Sequence, residues 1–124
     1  MYIYRIEHAI SLDGPYNNKS VNTDALRDAL GYTQASNAHP GMYYDCSAIV
    51  GYKYDEHYCG FDTIEHLIEW FSLAFDDLHD HGFIVAIYQI DSSLVCSGRY
   101  QSIFVKHKAK RVEVMSITDI ASLM

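Results

Sequence analysis

Cysteine, proline and glycine are scarce in this chain of 124 residues, which contains three, two and seven of them. Cys46, Cys59 and Cys96 are odd in number and show no Cys-x-x-Cys spacing, so the sequence predicts free thiols and a cytoplasmic protein. A chain of this length buries roughly two-thirds of its unfolded surface, so it needs neither disulfides nor a structural metal. We therefore expect a single globular domain over residues 1–124.

Long hydrophobic runs are also missing from the sequence. The longest lies between Phe83 and Tyr88 and is far shorter than the roughly 20 apolar residues that a membrane-spanning helix requires. The sequence therefore predicts no membrane segment.

Basic residues are few, with 9 Lys and Arg against 16 Asp and Glu and a formal net charge of -7. Residues 1–98 hold 4 basic and 14 acidic side chains, whereas residues 99–124 hold 5 and 2. Direct nucleic-acid binding is not expected, because nonspecific affinity for nucleic acid comes from neutralising phosphates. The charge distribution instead favours a basic protein partner, or a small ligand held near the positive C-terminal segment.

Hydrophobic patterning predicts five strands, one of them brief. Aromatic and β-branched residues are concentrated between Tyr2 and His8, which is typical of a strand. The continuous apolar run from Phe83 to Ile90 predicts a central strand covered on both faces. Two further strands are expected at residues 100–105 and 111–117, and a brief one near residues 48–52 lies in a long surface excursion.

A long helix is predicted from Thr63 to about His81. Its apolar side chains recur at helical spacing and form one stripe: Ile64, Leu67, Ile68, Phe71, Ala74, Phe75 and Leu78. Asp62 and Glu65 form a capping-box pattern at its start, and Gly82 supplies a stop. A shorter helix is expected at residues 23–30.

The histidines and cysteines offer candidate chemistry. His79 and His81 flank one residue, but on a helix this spacing points the two rings about 200° apart, so no metal site is expected. Cys59 is a candidate nucleophile beside the start of the long helix, with His57 or His66 as its base. The competing interpretation is a buried structural thiol, since free cysteines are among the most buried residues.

Eleven tyrosines are present, and several cluster before the long helix: Tyr43, Tyr44, Tyr52, Tyr54 and Tyr58. Such rings give a large contact area at little entropic cost, which is typical of recognition surfaces. They can stack on a base, a nicotinamide or the arginine of a partner. The alternative is that they are tyrosines of edge strands, and both interpretations stay open.

The order of elements resembles the small mono-ADP-ribosyltransferase fold. The resemblance rests on a first strand with Tyr4-Arg5, the segment Gly60-Phe61-Asp62-Thr63 before a helix, and a late strand with Gln101-Ser102-Ile103-Phe104. Similar patterns occur in short proteins of bacteriophages and prophages. The resemblance implies an α+β fold with one curved, mainly antiparallel sheet of about five or six strands, one long helix and one short helix.

The resemblance also implies a site for NAD. Arg5 and Thr63 would hold the cofactor, Tyr16 or Tyr58 would stack on its nicotinamide, and Gln101 would stand at the place of the catalytic glutamate. Glutamine hydrogen-bonds but supplies no negative charge to the transition state. We therefore expect binding of NAD or a related nucleotide, and the enzymatic question stays open.

A second hypothesis makes the chain a small acidic inhibitor without enzymatic activity. In this interpretation a phage protein acts in host takeover or against host defence by binding a host protein. Its contacts would be made by Tyr43, Tyr44, Tyr52 and Tyr54.

Overall fold

The computed structural model describes residues 1–12, 14, 15, 57–98 and 101–124, which form an α+β fold. The short helix expected at residues 23–30 and the strand expected near residues 48–52 lie outside these residues. Within the same ranges, every helix lacks the length and apolarity needed to cross a bilayer.

The strands of the described residues form two antiparallel sheets of three strands each. In the first sheet, β3 (Phe83–Gln89) is central, between β1 (Tyr2–His8) and β6 (Lys110–Ser116). In the second sheet, β5 (Ser102–Val105) is central, between β2 (His57–Gly60) and β4 (Val95–Ser97).

A single bridge joins the two sheets within the described residues. Tyr4 and Phe61 each donate a backbone hydrogen bond to the other, both 2.8 Å long. Pairing stops after this residue because the chain turns at once into the following helix. The α+β class is confirmed, but the single curved sheet expected from the sequence is divided into two.

Gly60 permits the close approach of β1 and β2 at this bridge. A Cβ atom at Gly60 would lie 2.5 Å from Cγ2 of Ile3 and 3.0 Å from the carbonyl oxygen of Tyr4. The first contact is far inside van der Waals distance, so no larger residue fits without a shift of β1. This glycine therefore fixes where β2, and the residues it carries, lie against the first sheet.

The predicted long helix exists in interrupted form. Helix α1 (Ile64–Phe71) is followed by a turn of 3₁₀ helix (Ser72–Ala74) and by α2 (Phe75–Asp80). A third helix, α3 (Ile117–Ala121), follows β6, where the sequence predicts the end of a strand. It begins there because the Ser116 side chain accepts a hydrogen bond from the Asp119 N–H.

The expected cap of α1 is wrong by one residue. Thr63 has an extended backbone and its hydroxyl accepts a hydrogen bond from the His66 N–H at 3.2 Å, so Thr63 is the N-cap. The Asp62 carboxylate instead contacts Nδ1 of His66 at 3.0 Å. The stop at Gly82 is confirmed, since Gly82 has φ of +85°, a conformation that favours glycine.

Three layers form the core of the described residues. The three helices cover one face of the first sheet, where Leu67, Phe71 and Leu78 pack with Ile6 and Val85.

The second sheet covers the other face of the first. There Ile3, Ala86 and Tyr88 pack against Phe104 of β5. Because side chains alternate along β1, Arg5 and Glu7 point into this second interface together with Ile3. Both charged side chains are buried, at 5% and 0% exposure.

Candidate ligand-binding pocket

A pocket of about 400 Å³ lies where the chain passes from the second sheet to the first. Its lining comes from the turn after β1, from β2, β3 and β6, and from the β5–β6 connection. The lining residues are Leu12, Tyr58, Tyr88, Lys106, His107, Ala109 and Arg111. This volume falls within the range of roughly 300–1,000 Å³ that is usual for small-molecule sites.

The β5–β6 connection brings one cationic and one titratable side chain to the pocket. Lys106, His107 and Lys108 form one turn of 3₁₀ helix, which ends where the Ala109 N–H donates to the Lys106 carbonyl at 3.0 Å. Lys106 and His107 line the pocket, and Lys108 does not.

A β-bulge aims Arg111 at the same pocket. Glu113 of β6 pairs with Ile87 of β3, but the next pair joins Arg111 to Tyr88, so Val112 is an extra residue. Without this shift, regular alternation would place Arg111 on the face of the sheet that the helices cover. The bulge instead places it beside Tyr88, on the face toward the second sheet.

The Tyr58 ring lies against two cations, Arg5 of β1 and Lys106 of the β5–β6 connection. Its ring centroid lies 4.8 Å from Cζ of Arg5 and 4.7 Å from Nζ of Lys106, both within cation–π distance. Nη1 of Arg5 also donates to the Cys59 carbonyl oxygen at 2.8 Å. Arg5 therefore holds β2 and the Tyr58 ring against the first sheet.

Glu7 is the buried anion of this region. Its Oε1 accepts a hydrogen bond from the Tyr88 hydroxyl at 2.7 Å, and its Oε2 accepts from Nη1 of Arg111 at 3.4 Å. Nε of Arg5 lies 3.3 Å from Oε1 of Glu7. One carboxylate is thus shared by two guanidinium groups and a phenol.

The Arg5–Glu7 contact is electrostatic and is not a hydrogen bond. Among the described residues, Nε of Arg5 is buried and has no hydrogen-bond partner, although the carboxylate is close. The far end of the same guanidinium approaches Gly14, where a Cβ atom would lie 3.1 Å from Nη2. Arg5 is therefore enclosed by protein on several sides.

Burial keeps two titratable groups of this region protonated. Burial raises the pKa of the Tyr88 phenol, and the hydrogen bond to Glu7 and the charge of Glu7 raise it further. Burial also raises the pKa of the Cys59 thiol, although the positive charge of Arg5 acts in the opposite direction. A protonated thiol is a poor nucleophile, which argues against the nucleophile hypothesis for Cys59.

The arrangement suits an anionic ligand with an aromatic part. Arg111 and Lys106 supply positive charge at the wall, and Tyr58 and Tyr88 supply rings. Within the described ranges, no group of three or more His, Cys, Asp or Glu side chains comes together to hold a metal ion.

The structure brings together two of the residues that the sequence predicts for a cofactor site, and two others do not line the pocket. Arg5 and Tyr58 are in contact, and Tyr58 lines the pocket. Thr63 caps α1, and Gln101 lies just beyond the Gly60–Ser102 pair, at the end of β5 away from Lys106. Gln101 and Val105 are four positions apart along extended chain, a distance of roughly 13 Å.

Several predicted contact residues lie outside the described residues. They are Tyr16, assigned to the cofactor, and Tyr43, Tyr44, Tyr52 and Tyr54, assigned to a protein partner. Their roles stay predictions, as do those of Thr63 and Gln101.

Glu7, Tyr88 and Arg111 were not identified from the sequence as residues of one site. For Glu7 the sequence does contain a signal. Arg5 and Glu7 occupy alternate positions of a strand that is otherwise mostly apolar, so both side chains point to the same face. The positive balance of residues 99–124 pointed to the segment that holds Arg111.

A family model described as Bacteriophage T4 Y00F protein matches residues 1–118 of the chain. No curated protein and no solved structure matches it. The resemblance to the mono-ADP-ribosyltransferase fold stays a prediction.

Proposed function

The chain belongs to the bacteriophage T4 Y00F protein family, and from this premise we propose that it is a phage protein that binds a nucleotide or a related phosphorylated aromatic ligand. The observation that supports the proposal is the joint presence of Lys106, Arg111, Tyr58 and Tyr88 around one pocket. NAD, the ligand implied by the sequence resemblance, is one member of this ligand class.

The cationic side chains of the pocket, Lys106 and Arg111, would bind the phosphate. A guanidinium group matches the geometry of phosphate oxygens and forms charge-assisted hydrogen bonds with them. Nη1 of Arg111 is engaged by Glu7, and about a third of the side chain is exposed at the pocket. Arg5 has a different role in this proposal, because it lies beneath Tyr58 and does not line the pocket.

The rings would contact the base. Tyr58 lies against two cations, so its position is set before any ligand arrives. Preorganised aromatic contacts lower the entropic cost of binding. The proposal covers binding alone, because Gln101 supplies no carboxylate for the transferase reaction and does not line this pocket.

The test measures affinity for NAD, ADP and adenosine by calorimetric titration. We expect ADP and NAD to bind and adenosine to bind more weakly, because it lacks phosphate. Arg111→Ala should weaken ADP binding about tenfold or more, since hydrogen bonds to charged groups contribute about 1.5–3 kcal/mol. Bound ligand should also raise the melting temperature.

Lys108→Ala is the matched control, because Lys108 lies in the same turn as Lys106 but is exposed and outside the pocket. It should leave the affinity for ADP nearly unchanged at moderate salt. Equal affinities in wild type, Arg111→Ala and Lys108→Ala, or no binding of ADP or NAD at millimolar concentration, would contradict the proposal.

A second candidate function, binding of a basic host protein, is favoured by the charge of the helical layer. Residues 57–98 contain seven acidic side chains and no Lys or Arg. Glu65, Glu69, Asp76 and Asp80 are exposed on α1 and α2. Such a surface steers a positively charged partner and raises its association rate.

This candidate is tested by capture from a bacterial lysate. Neutralising Glu65, Glu69, Asp76 and Asp80 to their amides should abolish salt-sensitive capture of a host protein. If the rings of the tyrosine cluster contact the partner, capture should also be lost when serine replaces Tyr43, Tyr44, Tyr52 and Tyr54. Unchanged capture by both variants, at unchanged thermal stability, would eliminate the candidate.

A further inference from the structure

Glu7 touches the pocket through two of its lining residues. It accepts a hydrogen bond from the Tyr88 hydroxyl at 2.7 Å and one from Arg111 at 3.4 Å. Glu7 itself is fully buried and does not line the pocket. Its carboxylate can therefore act on a ligand only through the side chains that it holds.

The two side chains held by Glu7 are neighbours across the β3–β6 pair. Tyr88 and Arg111 pair directly at the bulge, so a single carboxylate behind them reaches both. A free arginine side chain loses rotamer entropy when a ligand orders it, and Arg111 is already held at one nitrogen before a ligand arrives.

We infer that Glu7 is the positioning residue of the pocket, holding Arg111 and Tyr88 in the arrangement that receives the phosphate group of a nucleotide. This inference rests on the proposed function. Arg5 completes the arrangement as the second cation beside the buried carboxylate, so the charge of Glu7 is balanced within the core.

Positioning and simple electrostatics predict opposite results for Glu7→Gln. Removing a negative charge behind the pocket makes the pocket more positive, which by itself tightens the binding of an anion. Loss of the hydrogen bond that holds Arg111 weakens the binding of an anion. We expect the second effect to dominate and the affinity for ADP to fall about tenfold, since one hydrogen bond to a charged group corresponds to about that factor.

A double-mutant cycle with Arg111→Ala separates positioning from general damage. In the Arg111→Ala background, Glu7→Gln should leave the affinity for ADP unchanged or raise it, because nothing remains to be positioned except Tyr88. A second measurement needs no ligand. The Nε–H NMR signal of Arg111 should report an ordered side chain in the wild type, and its line should narrow in Glu7→Gln because the side chain becomes mobile.

Glu7→Asp keeps the inference falsifiable if Glu7→Gln fails to fold. It retains the negative charge beside Arg5 but is shorter by one methylene, so it cannot reach Tyr88 and Arg111 together. We expect a folded protein with an affinity for ADP reduced to a similar extent.

The outcomes are distinguishable. The positioning role would be overturned by unchanged or tighter ADP binding in Glu7→Gln, or by wild-type affinity in a folded Glu7→Asp. It would also be overturned if Glu7→Gln lost the same affinity with Arg111 present as in the Arg111→Ala background, or if Glu7→Gln left the NMR signal of Arg111 unchanged. If the wild type binds no ADP while the Arg111 signal responds to Glu7→Gln, the proposed function fails and the tether alone stands.

Discussion

Phe71→Ala is expected to lower the free energy of unfolding by about 3–5 kcal/mol, the usual loss when a buried aromatic side chain is truncated. Phe71 is 4% exposed and packs edge to face against Phe61, with a distance of 5.9 Å between ring centroids. Phe61 forms the bridge to Tyr4 of β1, so the cavity left by Phe71→Ala opens beside the link between the two sheets. Chemical denaturation measures the loss.

Glu69→Ala is the matched control on the same helix. Its side chain is exposed, so the free energy of unfolding should change by less than about 0.5 kcal/mol. If the two variants lose equal stability, the assignment of the buried face of α1 is wrong.

Glu7→Ala should also destabilise the protein by about 3–5 kcal/mol, because removing one partner of a buried ion pair leaves the other charge uncompensated. The stranded groups are the Arg5 guanidinium and the Tyr88 hydroxyl. The measurement is again the free energy of unfolding from denaturant titration.

Replacing both members of the pair tests this explanation. Arg5→Met combined with Glu7→Met removes the uncompensated charge and should recover much of the loss, as hydrophobic replacement of buried ion pairs often does. Glu113→Ala, an exposed carboxylate on β6, should be nearly neutral. A double variant less stable than Glu7→Ala would show that the charge of Arg5 is not what destabilises the single variant.

Local patterns predicted the elements whose formation depends on their own residues. The apolar run at residues 83–90 gave the central strand of the first sheet, and the stripe at residues 64–78 gave the buried face of α1 and α2. Gly82 gave the helix stop, because its left-handed conformation is a local requirement. In each case the signal lies within one turn or one strand.

The place where the two sheets meet could not be predicted in this way. It depends on a close approach between Gly60 and Ile3, which are far apart in sequence. The hydrophobic pattern also gives no sign of the break at residues 72–74, since Phe71 before it, Ala74 within it and Phe75 after it are all buried.

Of the candidate site, Arg5 and Tyr58 were both predicted from the sequence as cofactor residues; the structure shows the two side chains in contact, and their role toward a cofactor stays a prediction. The role of Arg111 could not be predicted because the direction of its side chain depends on one extra residue in β6. A side-chain periodicity of two assigns it to the wrong face.

The same extra residue has a consequence for how the molecule behaves at high concentration. Within the described residues β6 is an outer strand of its sheet, and its exposed Val112 and Val114 would make it a template for strands of other copies. A bulge kinks such a strand and breaks the regular row of N–H and C=O groups that edge-to-edge aggregation requires. The irregularity that directs Arg111 into the pocket thus also protects the chain against assembly into extended β-structure.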